Sequence, residues 1–401
     1  MTGGEPIRVL IAGGGVAALE ATLALRALAG KLVAVELLAP EPHFWYRPLA
    51  VVEPFGGGHV QGVELVELAR ACDAQLTLGA LAAVDADRHV ARTASGAEIE
   101  YDALLVATGA RPVTAVTGAL TFRGLADSDL LLALLEELEE GGARRLTFAV
   151  PGGVSWPLPL YELALQTAVR LRARPDVELA LVTPEVTPLG VFGDWASQAV
   201  AALLRERGIR VYTARHPVSF EDGWLALAPT GAFAADRVVA LPRLEGVSIP
   251  GLPHDADGFI PVDSSGRVRG RDDVYAAGDA TAFPVKQGGL AAQQAVAAAE
   301  TIAGVAGAAI RPQPFRPVLR GLLLTGGRPF YLRAEVGERA DETSTATAEP
   351  LWWPPGKVAG RHLAPFLAER AGIVLAPRAE ASAAPSPSLS SPREEDVVKR
   401  S

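Results

Sequence analysis

The chain has 401 residues, 49% of them apolar, and a formal net charge of −9. That much apolar material fills two or three cores and excludes a disordered chain, and the acidic balance gives nucleic acid no electrostatic foothold. A single cysteine, Cys72, excludes an intramolecular disulfide, a Cys-x-x-Cys redox pair and a thiolate zinc cluster, so no metal is expected.

In chain order, 7–12 reads as a buried strand, 16–29 as an Ala- and Leu-rich helix closed by Gly30, and 32–38 as the next strand. These make one βαβ unit. A helix is expected at 60–72, then a meander of short strands over 76–101 with a turn at Ser95-Gly96. A strand at 103–107 stops at Thr108-Gly109, and a helix at 128–140 ends in Gly141-Gly142. A second βαβ unit then opens with strand 146–150, helix 158–173 and strand 177–182. Helix 194–207 and strands 209–212 and 238–241 follow. Strand 274–277 runs into Gly278-Asp279, and 289–306 is an Ala-rich helix. Beyond Pro312 come strands at 319–324 and 329–336 and a helix at 357–370. Residues 377–401, rich in Ser, Pro and Glu, are expected to be a disordered tail. The start of the chain carries no signal-peptide pattern, and no uncharged run reaches the roughly 18 residues of a membrane span. The expectation is a cytoplasmic protein whose contact with a membrane is at most peripheral.

The first Gly-rich turn is Gly13-Gly14-Gly15-Val16-Ala17-Ala18. In such a turn Gly13 permits the tight bend, Gly15 lets backbone N–H groups approach a pyrophosphate, and Ala18 allows close helix–strand packing. The helix N-terminus adds partial positive charge under the phosphates. The acid expected to bind a ribose hydroxyl is Glu41, since Glu36 lies inside the strand. Two further strand ends accompany this turn: Leu104-Leu105-Val106-Ala107-Thr108-Gly109 and Val274-Tyr275-Ala276-Ala277-Gly278-Asp279.

Taken together, the three segments resemble the FAD fingerprints of the two-dinucleotide-fold flavoproteins, the pyridine nucleotide-disulfide oxidoreductase superfamily. The resemblance covers about residues 7–370. It implies an α/β fold of two Rossmann-like (three-layer ββα) dinucleotide-binding domains plus a small α+β C-terminal interface domain. The boundaries it implies are 1–112 with 255–311 for the FAD domain, 113–254 for the second nucleotide-binding-like domain, and 312–376 for the interface domain. It also implies FAD as cofactor, with Asp279 on the flavin ribitol chain and Arg47 and Pro48 beside the ring. The amides of Gly288 and Gly289, at a helix N-terminus, would face the pyrimidine edge and stabilise negative charge on the reduced flavin. Lys286 is the candidate catalytic side chain. In type II NADH:quinone oxidoreductases an Ala-Gln pair stands about where Gly288-Gly289 fall here.

The second turn, Pro151-Gly152-Gly153-Val154-Ser155-Trp156-Pro157-Leu158-Pro159, lacks the Gly-x-Gly-x-x-Gly spacing, and neither Pro157 nor Pro159 can donate an N–H to a phosphate. Its length resembles sulfide:quinone oxidoreductases and flavocytochrome c sulfide dehydrogenases, whose redox cysteines are missing from this chain. Leu351-Trp352-Trp353-Pro354-Pro355-Gly356-Lys357 lies where interface domains approach the flavin, as a pocket wall or as interface core. His43 and His59 read as surface or capping residues. The resulting expectation is an FAD-dependent oxidoreductase passing two electrons from a small donor, NAD(P)H being usual in the superfamily, to a quinone or other acceptor. The alternative is a flavin-binding partner or redox sensor without turnover.

Overall fold

The computed structural model describes residues 5–337, 340–373 and 376. Two parallel five-stranded sheets organise it. In the first, the strand order is Val274–Ala276, Ala103–Val106, Ile7–Ala12, Val33–Ala39, Gln75–Leu78. In the second it is Leu120–Thr121, Arg237–Ala240, Arg145–Ala149, Glu178–Val182, Ile209–Tyr212. The central strands are apolar on both faces because both faces are covered.

In the first unit Val9, Ile11 and Leu37 pack under the helices Val16–Ala29 and Gly288–Val305. Leu10, Leu38 and Leu104 face the antiparallel strands Leu81–Asp85, Val90–Thr93 and Glu98–Glu100. In the second unit Leu146, Phe148 and Leu181 lie under the helix Leu158–Arg170. Ala149, Val182 and Val238 meet Leu225 from the antiparallel strands His216–Glu221, Trp224–Ala228 and Ala232–Ala234. Both units are therefore three-layered ββα folds of Rossmann type. A small antiparallel sheet, Val318–Leu323, Phe330–Glu335 and Thr345–Thr347, completes the mixed α/β architecture.

Several elements differ from expectation. Within 60–72, Gly62–Glu64 is a strand paired with His43–Trp45, and only Leu65–Ala71 is helical. The cause is Trp45, whose ring lies where a Cβ on residue 62 would fall, 2.8 Å from Cζ3. The strand Gln75–Leu78 leaves the meander and pairs with Val33–Ala39. Arg47–Phe55 forms a 3-10 helix that periodicity did not reveal. Of the helix expected at 357–370, only Leu363–Pro365 and the wider turn Phe366–Arg370 form. Gly360 presses on buried Glu20, whose carboxylate accepts the His362 amide at 2.9 Å and the Leu363 amide at 2.8 Å and so sets the start of that turn. The tail expected over 377–401 lies outside the described residues. No helix among the described residues is long and apolar enough to cross a membrane.

Candidate active site

A cavity of about 1160 Å³ opens at the carboxyl ends of the first sheet's strands, where α/β folds place ligands. Gly13 makes its floor. Its φ is +143°, and a Cβ there would fall 2.2 Å from the Ala107 carbonyl oxygen, so any side chain would collide with backbone. Its amide donates to the Leu38 carbonyl at 2.8 Å, which ties the turn to the neighbouring strand. Gly15 is different: a Cβ on it would meet nothing within 4 Å. The helix starts at the next residue with no acid in its first turn, leaving its terminal amides and positive dipole end open.

Thr108 and Gly109 line the cavity at the end of the middle strand, and Glu41, Arg47 and Pro48 line its rim. Glu36 is engaged elsewhere, accepting the Thr77 hydroxyl at 2.7 Å. His43 also lines the rim, whereas His59 is on the surface beside Glu53. Ala18 is buried behind the wall, where its small side chain serves helix packing.

Gly278, with φ +77°, is wedged between the starts of two helices. A Cβ there would sit 3.1 Å from that of Ala17 and 3.3 Å from that of Ala291. The turn is locked by Gln294, which accepts the Gly278 amide at 2.7 Å, and by the Thr281 hydroxyl, which donates to the Gly278 carbonyl at 2.9 Å. Asp279, so held, lines the cavity and makes no hydrogen bond to any described residue. Burial pushes its carboxyl above the usual range, with the Lys286 ammonium pulling the other way. Lys286 also lines the cavity. Its Nζ lies 3.6 Å from the centroid of the Phe259 ring and donates to the Thr281 carbonyl. Burial pushes it down to about 8, against the pull of Asp279 and Asp255.

Gln287 caps the helix Gly288–Val305, accepting the Leu290 amide at 2.8 Å. The amides of Gly288 and Gly289 are left without an intrahelical acceptor. Gly288 reaches the cavity and abuts Val358; Gly289 does not line it, and its missing side chain makes room for that of Gln287.

The sequence did not single out Glu162. It is fully buried, and both its carboxylate oxygens accept from the Nζ of Lys357, itself a cavity residue. The Leu324 amide adds a bond to Glu162 at 2.9 Å. Burial is the leading influence on both partners, raising the carboxyl and lowering the ammonium, while their mutual attraction opposes it. Lys357 brings this pair to the cavity wall. The only signal in the sequence was Lys357 at the end of the Trp-Trp-Pro-Pro-Gly segment. Of the two tryptophans, Trp352 packs edge-on against Tyr331 with ring centroids 5.0 Å apart, and Trp353 is 83% exposed. Neither lines the cavity.

The second unit treats its own strand end differently. Between strand and helix stand residues 150–157, against 13–15 in the first unit. Trp156 packs against Phe192 at 5.7 Å between ring centroids. Glu185, which follows the second strand as Glu41 does in the first unit, accepts the Tyr161 hydroxyl at 2.6 Å and the Thr183 hydroxyl at 2.9 Å. A Cβ on Gly153 would fall 3.2 Å from Arg243 Cδ. The Glu185 carboxylate is thus engaged by two hydroxyls, while Gly152, Gly153, Ser155 and Trp156 line the same cavity as the first turn.

Residues 7–300 match the family model described as pyridine nucleotide-disulphide oxidoreductase. The chain belongs to that family. Membership in the pyridine nucleotide-disulphide oxidoreductase family makes it a flavoprotein oxidoreductase, and an enzyme. No curated protein matches it in sequence. Among solved structures it resembles the sulfide:quinone oxidoreductase of the hyperthermophilic bacterium Aquifex aeolicus, with a TM-score of 0.77 and 21% identity over 85% of this chain and 86% of that one. It also resembles an NAD-dependent persulfide reductase from A. fulgidus (0.63, 19%, 84% and 66%). A ferredoxin reductase from Rhodopseudomonas palustris gives 0.61 at 20% identity over 82% of each chain. At these identities the likeness is one of fold, and the pyridine nucleotide-disulphide oxidoreductase fold is what the two ββα units display.

Proposed function

We propose that this enzyme binds FAD in the cavity of the first unit and passes electron pairs from a small reductant to a quinone or another acceptor. The observation that carries this reading is the unpartnered Asp279 carboxylate, fixed by Gln294 and Thr281 in a cavity that Gly15 leaves open. A dinucleotide fits this donor set. Gly13, Gly15, Thr108 and Gly109 would take its pyrophosphate side, Glu41 a ribose hydroxyl, and Asp279 the ribitol. Arg47, Pro48 and the amides of Gly288 and Gly289 would flank the ring.

Bound there, FAD would supply the two-electron chemistry, and the protein the orientation, electrostatics and protons. Lys286, already pushed down to about 8, is placed to hold or release a proton near neutral pH. The Glu162–Lys357 pair joins the helix Leu158–Arg170 to the C-terminal segment and brings Lys357 to the cavity. NAD(P)H, the usual donor, is disfavoured, because Glu185 is already engaged by the Tyr161 and Thr183 hydroxyls and Arg243 crowds Gly153.

The test is anaerobic stopped flow on the purified yellow protein, after its cofactor has been released and identified. FAD at about one per chain is expected, as is reduction by a non-nucleotide donor such as a quinol in preference to NADH or NADPH. A protein that takes up no FAD overturns the cofactor assignment. Saturable, rapid bleaching by either nicotinamide overturns the donor assignment.

A further inference from the structure

The strand Val318–Leu323 crosses the N-terminal end of the helix Gly288–Val305. The Gln293 side chain holds it there, donating to the Val318 carbonyl at 2.9 Å and accepting the Val318 amide at 3.0 Å. The Gln287 side chain donates to the Arg320 carbonyl at 3.0 Å. Arg320 is thereby fixed as a wall residue of the cavity. Directly opposite it in the antiparallel pair, on the same face of the sheet and just behind the cavity lining, stands Arg333. Like charges placed so are destabilising, and both residues are half-buried. Neither guanidinium has an ion-pair or hydrogen-bond partner among the described residues. Burial and the Arg333 charge both weaken the hold of Arg320 on its proton. Two adjacent, part-desolvated guanidinium groups without a carboxylate form a site whose electrostatic cost only an added anion offsets. The surroundings strengthen the field, with Lys286 and the helix N-terminus at the same end of the cavity. Along the same face Leu322 and Tyr331 pair next, and Trp352 packs on Tyr331.

We propose that Arg320 and Arg333 form an anion subsite, and that one of the enzyme's two redox substrates is a small organic anion held there by its oxyanion group, with Leu322 flanking its apolar part. This deepens the proposed function and rests on it for the substrate role. Bidentate N–H donation from a planar guanidinium suits a carboxylate or a sulfur oxyanion equally.

Calorimetry of the flavin-loaded protein at low ionic strength, with benzoate and with sulfate as probes, tests it. The wild type is expected to bind at least one probe. Arg320→Gln and Arg333→Gln should each weaken that binding tenfold or more, and Lys31→Gln, an exposed change outside the cavity lining, should leave it as it was. Preference for benzoate identifies a carboxylate on an apolar body, and preference for sulfate identifies the bare oxyanion. Each Gln variant should also unfold at a higher temperature than the wild type, because repulsion is relieved; a merely structural role predicts a lower one. A wild type that binds neither probe, or variants that bind as well as the wild type, overturns the subsite. Flavin content measured on the same samples separates the two ideas: anion binding by a protein that takes up no FAD leaves the subsite and sinks the proposed FAD function.

Discussion

Two glycines of the first turn serve different ends, and substitution separates them. Gly13→Ala forces a Cβ against the Ala107 carbonyl at a φ of +143°. Such a backbone conflict costs on the order of 1–3 kcal/mol, so the variant should melt several degrees lower with or without cofactor. Gly15→Ala meets no atom within 4 Å, and its φ of −96° suits any residue. It should keep the melting temperature of the flavin-free protein and lose cofactor affinity by about tenfold or more, because the added methyl enters the space a phosphate would occupy. Thermal unfolding of the flavin-free forms beside flavin titration checks both; equal effects of the two changes would refute the division. Cys72, by contrast, has no part in the chemistry proposed: it is buried, and burial pushes its thiol up to about 11.

At the level of elements, the helix Leu158–Arg170 is the hub. Consecutive residues tie it in two directions, Tyr161 to Glu185 and Glu162 to Lys357. Removing one partner of a buried ion pair typically costs about 3–5 kcal/mol, and Lys357→Met should lose that much at pH 7.5. The lone Glu162 carboxyl would then sit above its unfolded value of 4.5, with only the Leu324 amide left to oppose burial. A carboxyl raised by folding contributes stability below its unfolded pKa and loses it as pH rises. The deficit should therefore shrink as the pH is lowered from 7.5 towards 5, and Glu162→Gln combined with Lys357→Met should recover most of it. Denaturant melts of both variants across that range decide the matter; a deficit independent of pH would contradict the assignment.

Much of this was legible from local pattern. The strand–glycine–helix turn at Gly13, the strand ends at Gly109 and Asp279, and both βαβ units each depend on a few adjacent residues. Gln294, Glu20 and Glu162 were not legible, because each acts on a residue brought to it only by tertiary packing; Glu162 and Lys357 lie 195 positions apart. The helix expected at 357–370 failed for the same reason, since buried Glu20 dictates where that segment begins to turn.

At the scale of the molecule, the last described segment is fastened to the first unit. Glu20 of the first helix accepts the His362 and Leu363 amides, and the Tyr46 hydroxyl accepts the Val358 amide at 3.0 Å. Hydrogen bonds to a charged group contribute about 1.5–3 kcal/mol each. Glu20→Ala should accordingly speed hydrogen exchange across 358–367 by tenfold or more and hasten loss of flavin. Unchanged exchange there, measured by mass spectrometry, would mean that this clasp does not hold the segment.

The cavity wall runs from Gly13 to Val358. A chain leaving the ribosome has therefore displayed its phosphate turn long before Lys357 and Val358 exist to close the site. A cofactor that met that early turn would meet a half-built pocket, closed only once the segment carrying Val358 docks on Glu20 and Tyr46. Completion of the wall thus waits on residues 357–358, and a chain stopped before them would keep the glycine turn without its far wall.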